Sequence, residues 1–263
     1  MYLPILMSHA PSIRAVRIAL VSLLLAVSGC GWFRPLPTPI LPADELYRKG
    51  EDELTRKKYE DARKSFTYIV ERHPDSTYAP RARFLLGEAF YREAEFEKAI
   101  KEFESFMAFY PRHQIADLVQ YRLAMSYYDQ MQPVEKDQAL TTKALNHFKK
   151  LVKEYPESRY ATDGLAKIDI CRGRLAQKEV WVANYYYTQG NASSARQRLE
   201  LVLKDYPRSL VIPETLWLLA EVNFREGKSA EAVDLLRRLA TEFSYSDWGR
   251  RAAERLRNLN AQK

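Results

Sequence analysis

A recurring register of small residues and prolines runs along most of this chain, and it permits few folds. Gly50, Gly87 and Ala124 stand 37 residues apart, and Ala183 and Ala220 are again separated by 37. Twelve residues after four of these comes a second small residue, Ala62, Ala99, Ala195 or Ala232; in the remaining case Ala144 follows Ala124 by 20. A third mark ends each unit: Pro74, Pro111, Pro156 and Pro207, with Phe243-Ser244 standing in the last time. Two helices cross closely only where side chains are small, and proline cannot continue a helix. Each unit therefore reads as a helical hairpin whose crossing is set by the small pair and whose second helix stops at the proline. Large apolar residues fall between the marks at helical spacing: Phe66, Ile69 and Val70; Phe103 and Phe106; Phe148, Leu151 and Val152; Leu199, Val202 and Leu203; Leu235, Leu236 and Leu239.

The expected architecture is all-α, a tetratricopeptide-like solenoid of five helical hairpins over about 43–79, 80–116, 117–160, 161–212 and 213–246. A polar segment over 247–263, rich in arginine, reads as the capping helix that a stack of repeats needs. The period exceeds the roughly 34 residues of a plain tetratricopeptide repeat, which calls for longer turns. Two departures are expected to shape the stack. Eight extra residues around Met131 to Gln138 lengthen the turn inside the third hairpin, and fourteen extra between Pro156 and Ala183 lengthen the first helix of the fourth, over about Ala161 to Thr188. Fourteen residues are close to four turns of helix, so the packing face is preserved.

The N-terminus belongs to targeting and not to the fold. Arg14 and Arg17 precede the apolar run 18–27, too short to span a bilayer as a mature helix but laid out as a secretory signal. It ends in Val27-Ser28-Gly29-Cys30, similar to a bacterial lipobox with Val in place of the usual Leu. Residues 1–29 are thus expected to be a lipoprotein signal peptide and Cys30 the lipidated new N-terminus. Gly31 follows where an inner-membrane retention signal would have Asp, which points to the periplasmic face of the outer membrane. The stretch 30–43, with prolines at 35, 37, 39 and 42, reads as a semi-rigid tether. Cys171, the second of only two cysteines, reads as a packing thiol on a helix.

At 46% hydrophobic and 29% charged the chain fits neither a disordered nor a disulfide-dense class. The sequence carries no Gly-rich phosphate loop, His-Glu-x-x-His, Cys-x-x-Cys or Gly-x-Ser-x-Gly, so no enzyme, cofactor or metal site is expected. His73, His113 and His147 read as solvated or capping residues. Basic residues are interleaved with acidic ones, which speaks against a nucleic-acid face. Binding is expected on the first helices. Three residues before the first small position come Tyr47, Phe84, Tyr121, Val180 and Trp217; four after it come Leu54, Tyr91, Tyr128, Tyr187 and Phe224. These columns serve either to pack neighbouring repeats together or to line a peptide groove, and the groove reading is centred on Tyr47, Phe84, Tyr91, Tyr121 and Tyr128.

With signal, tether and repeats together, the chain resembles the BamD (ComL/YfiO) family of outer-membrane β-barrel assembly lipoproteins. The resemblance runs from Cys30 to the end and is most specific from Leu151 to Pro207. There Glu154-Tyr155-Pro156-Glu157-Ser158-Arg159-Tyr160-Ala161, Arg174-Leu175-Ala176, Val182-Ala183, Tyr185-Tyr186, Arg198 and Asp205-Tyr206-Pro207 follow the family pattern. The resemblance implies a non-enzymatic scaffold that works beside other assembly lipoproteins. It implies docking to the BamA-type β-barrel subunit through Arg198, supported by Tyr185 and Tyr186. It also implies that the N-terminal repeats receive the C-terminal signals of unfolded outer-membrane proteins. The competing expectation is a periplasmic tetratricopeptide adaptor for the Tol-Pal and cell-division system or for recruiting peptidoglycan hydrolases.

Overall fold

The computed structural model describes residues 41–261; the expected signal peptide, Cys30 and most of the tether lie outside the described residues. Ten helices form five hairpins and an eleventh follows them. The pairs are α1 (Ala43–Thr55) with α2 (Tyr59–Arg72), α3 (Ala79–Arg92) with α4 (Phe96–Phe109), and α5 (Ala116–Tyr128) with α6 (Ala139–Glu154). They continue with α7 (Ala161–Thr188) and α8 (Ala192–Asp205), α9 (Ile212–Arg225) and α10 (Ser229–Glu242), and the closing α11 (Asp247–Ala261). Each helix packs on the next in sequence, and first helices also touch across repeats, α3 on α5, α7 on α9 and α9 on α11. This is the tetratricopeptide-like solenoid that the register demands.

The crossing contact is a second-helix ring or leucine laid over the first small residue. A Cβ added to Gly50 would lie 2.6 Å from Phe66, and one on Gly87 2.6 Å from Phe103. Phe66, Phe103, Phe148, Leu199 and Leu236 are all fully buried, as are the second small residues, Ala62, Ala99, Ala144, Ala195 and Ala232. Burying each of these phenylalanine and leucine side chains stabilises the fold by about 1.5–3 kcal/mol.

The turns repeat as faithfully as the helices. Residues seven after the first small position, Lys57, Ala94, Gly190 and Gly227, have φ of 60°, 58°, 79° and 75°. The next backbone N–H in each case reaches back five residues, as in Lys58 to Glu53 at 2.8 Å and Asn191 to Tyr186 at 2.9 Å. That is the Schellman arrangement for stopping a helix, in which glycine is the unstrained occupant. Between hairpins, the residue two after the proline caps the turn: Ser76, Ser158 and Ser209 side chains accept from Tyr78, Tyr160 and Val211 N–H. His113 does the same through Nδ1 for Ile115 at 3.3 Å. His147, by contrast, is half-buried. Its carbonyl accepts from Gln120 at 3.0 Å, its ring stacks on Tyr127 at 5.1 Å, and burial lowers its pKa.

The two irregular features are one structure. The ten-residue turn 129–138 folds against α7, whose 28 residues double the length of most other helices. Arg174 and Lys178 donate to the carbonyls of Gln132 and Glu135, each at 3.2 Å, and Cys171 Sγ meets Met131 Sδ at 3.9 Å. Gln138 braces the turn from inside, donating to the Pro133 carbonyl at 2.8 Å while accepting from Thr141 at 2.7 Å. The first half of α7 belongs to the core of hairpins two and three through Cys171, and the second half to that of hairpins four and five through Ala176. Full burial holds the Cys171 thiol up at about 11, so it packs and does not react.

The repeated left-handed turn residue gives a paired prediction. Left-handed backbone costs a non-glycine residue about 1 kcal/mol. Ala94→Gly should therefore gain up to about 1 kcal/mol in urea unfolding and Gly190→Ala lose about as much; no change in either would refute the turn assignment.

Candidate functional site

The expected groove residues stand on the hairpin cores. In the column three before the small position, Tyr47, Tyr121 and Trp217 lean on the residue that opens the next first helix, whereas Phe84 leans on its own hairpin's second helix. Tyr47 packs on Tyr78 at 5.0 Å and Tyr121 stacks on Tyr160 at 4.9 Å. Trp217 meets Trp248 at 5.8 Å in the same manner. Phe84 lies against Phe103 at 6.1 Å. Tyr47 retains 8% exposure, whereas Phe84, Tyr91, Tyr121 and Tyr128 are half-buried. The column thus joins neighbouring repeats and offers ring edges to the surface.

Both columns and their charges tie hairpins two, three and four together. Tyr91 sets its ring edge-on to Phe96 and donates its hydroxyl to Asp129. Tyr121 donates to Asp163 at 2.8 Å, reaching from α5 to α7. Tyr128 stands edge-on to Phe148 with the Lys167 ammonium 4.6 Å above its ring. Glu88, with a side chain only 5% exposed, takes Arg122 at 3.0 Å from the next hairpin and Arg92 at 3.2 Å from its own helix. Burial, then Asp163, pushes Tyr121 up to about 12.

Arg198, Tyr185 and Tyr186 lie on the fourth hairpin. Arg198 is 43% exposed and already engaged, its guanidinium 3.0 Å from Glu179 across the α7–α8 crossing. Tyr186 is half-buried against the cluster that holds Ala183, Ala195 and Leu199, whereas Tyr185 is 54% exposed. Trp181, one turn before Tyr185, is 42% exposed with Lys178 at 4.5 Å over its ring. The sequence reading passed over Trp181 and Glu179; a Trp four residues before a Tyr on a long helix was the available signal. Half-exposed aromatics on α7 and a partly neutralised arginine on α8 are side chains suited to protein docking.

The Tyr121 hydroxyl yields a test of the tie between hairpins three and four. Tyr121→Phe should lose about 1 kcal/mol at neutral pH. Because the folded-state pKa is raised, this stabilisation is complete below the unfolded value of about 10 and is lost as pH rises through about 12. Urea unfolding of both proteins over that range checks it; a constant difference would show that the phenol does not titrate against Asp163.

Comparison with known proteins shows the family. Residues 40–239 match the family described as "YfiO: Outer membrane lipoprotein". The chain is 32% identical over 221 residues to the outer membrane protein assembly factor BamD of Caulobacter vibrioides, covering 83% of this chain and 72% of that one. It is 27% identical to the factor of the same name from Rickettsia prowazekii, covering 88% and 92%, and 27% identical to that of Neisseria meningitidis serogroup A, covering 86% and 90%. A match over most of the folded repeats, joined to a relative 32% identical that is named BamD, makes this chain a member of the YfiO family of outer membrane lipoproteins.

Proposed function

We propose that the chain is a lipid-anchored, non-enzymatic scaffold of the outer-membrane β-barrel assembly machinery. The lipid on Cys30 holds it at the periplasmic face of the outer membrane, with no cofactor or metal. The fourth hairpin docks a BamA-type barrel subunit through Arg198, with Tyr185 and Tyr186 beside it, and other assembly lipoproteins join the same complex. The first three hairpins receive the C-terminal ends of unfolded outer-membrane proteins along Phe84, Tyr91, Tyr121 and Tyr128, with Tyr47 closing the end of the column. The scaffold then works by raising the effective concentration of a bound client beside the barrel subunit.

The observation that carries this reading is the part-exposed Arg198 paired with Glu179 on the fourth hairpin, with Tyr185 exposed on α7, in a chain whose relatives are named outer membrane protein assembly factors. Among the described residues no helix is long and apolar enough to cross a membrane, so on this reading attachment falls to Cys30.

Arg198→Glu should weaken co-purification with the barrel subunit by about 10-fold or more at moderate salt, since one charge of a docked pair is reversed. Tyr185→Ala, at a site the fold does not bury, is the companion variant, and unchanged co-purification of both would remove this surface from the interface. Cys30→Ser should move the protein from the membrane fraction to the soluble periplasm, and continued membrane association would contradict the anchor. Photocrosslinkers at Tyr91 and Tyr121 should capture a peptide ending in the client's aromatic signal; capture only from second-helix positions would overturn the groove.

A further inference from the structure

The extra turns of α7 leave a step in the solenoid. Hairpin four ends level with the middle of that helix, where Arg172 donates to the Asp205 carbonyl at 2.8 Å. The half of α7 before Arg172 runs past this point, held by the core of hairpins two and three through Cys171. Where α7 meets the turn 206–211, a cavity of about 490 Å³ opens, with Ile170, Gly173 and Arg174 on one wall and Arg208 and Leu210 on the other.

Two residues of this cavity depart from the habits of the repeat. The third residue after each turn proline is exposed, and in the first three hairpins it is Thr77, Gln114 or Arg159. In the fourth it is Leu210, 96% exposed, the barest of the large apolar side chains described. Gly173 is the second departure. A Cβ on Gly50, Gly87, Gly164 or Gly249 would come within 3.1 Å of a neighbouring atom, so packing demands those glycines. A Cβ on Gly173 would meet nothing within 4 Å. Glycine weakens a helix interior relative to alanine, and here nothing in the fold requires it. What it provides is a notch of bare backbone beside Ile170, which is itself 48% exposed.

The charges of the cavity point to one kind of occupant. Arg172, Arg174 and Arg208 are joined there by a single acid, Asp169. Arg172 rests on a carbonyl and over the Tyr206 ring at 5.9 Å, and Arg174 donates to the Gln132 carbonyl at 3.2 Å, so both acceptors are neutral. Among the described residues the Arg208 guanidinium has no hydrogen bond or ion pair, and no carboxylate pairs with any of the three. Positive charge in excess beside exposed apolar side chains complements a polypeptide that is acidic and apolar at once. The notch at Gly173 takes an inserted side chain, whereas a lipid surface would rest on Leu210 alone.

We infer that the groove walled by Ile170, Gly173, Arg208 and Leu210 binds a partner polypeptide segment that carries an apolar side chain between carboxylates. The apolar side chain sits on Gly173 between Ile170 and Leu210, and the carboxylates meet Arg208 and Arg174. The site is separate from Arg198, which lines no part of it, and does not rest on the barrel-assembly reading.

Methyl resonances of the full chain test this directly, with the Ile170 and Leu210 signals assigned by Ile170→Val and Leu210→Gln. The probe is the peptide acetyl-Glu-Leu-Glu-amide, with a twin bearing lysines for the acids and another bearing serine for the leucine. Dihexanoylphosphatidylglycerol is the lipid control. Both signals should shift with the acidic leucine peptide at millimolar concentration and respond only weakly to the twins and the lipid. Arg208→Gln and Leu210→Gln should each weaken binding by about 5- to 10-fold. Both side chains are exposed, and Gln114 already stands at the position of Leu210 in another turn, so circular dichroism should be unchanged. Gly173→Ala should raise the urea midpoint, as alanine does in a helix interior, and still weaken binding by filling the notch. An equal shift with the lysine twin, tighter binding of the lipid than of the peptide, unchanged affinity in Leu210→Gln or Gly173→Ala, or no shift up to about 10 mM peptide would each overturn the assignment.

Discussion

Every hairpin depends on one contact, in which a bulky side chain of the second helix lies over a residue of the first that has almost none. At Gly50 and Gly87 the approach leaves no room for a methyl group beneath Phe66 and Phe103. Hairpins four and five make the complementary choice, alanine at 183 and 220 with Leu199 and Leu236, also fully buried. Overfilling such a contact costs about 1–3 kcal/mol, and moving it by one residue would turn both amphipathic faces away from the core. Once the crossing is fixed, the positions of the left-handed turn residue, the aromatic columns and the start of the next hairpin follow from helical geometry.

Those consequences explain which parts could be read from the chain. Small residues twelve apart, prolines at the ends and the fourteen-residue excess before Ala183 are local and periodic, so they gave five hairpins and a long α7. The embrace between the 129–138 turn and α7 joins residues about forty apart that follow no period. Gln132 and Arg174 carry no signal of their partnership. The left-handed turns were within reach at Gly190 and Gly227, but Lys57 and Ala94 hide the same register under residues that pay for it. The repeated Pro-x-Ser of Pro74, Pro156 and Pro207 was also available and announces the turn cap.

The candidate surfaces were only half readable, for a physical reason. An aromatic residue on the inner face of a helix has the same spacing whether it packs on the next repeat or receives a ligand. Tyr47 turned out to be covered by Tyr78, and Tyr121 is both a stacking partner of Tyr160 and a donor to Asp163. Arg198 shows the converse. The resemblance implied a partner contact, and its pairing with Glu179 makes it neither free nor buried. Such a pair, with one partner 43% exposed, contributes about 1 kcal/mol or less within the chain and stays open to exchange with an incoming carboxylate.

On the proposed reading, the irregular middle of the solenoid is where fold and function meet. The locked turn and α7 join two cores through one continuous helix, so the Trp181–Tyr185 face is presented on a rigid element and not on a loop. A scaffold needs that rigidity, because a docked partner and a bound client are brought together only if the body between them does not yield. The central claim is that this face meets a barrel subunit at the membrane. A photocrosslinking residue placed at Tyr185 in living cells tests it most directly. The account predicts a covalent adduct with the BamA-type subunit in the outer-membrane fraction, and an adduct absent there while one forms from an exposed second-helix position such as Phe109 would contradict it.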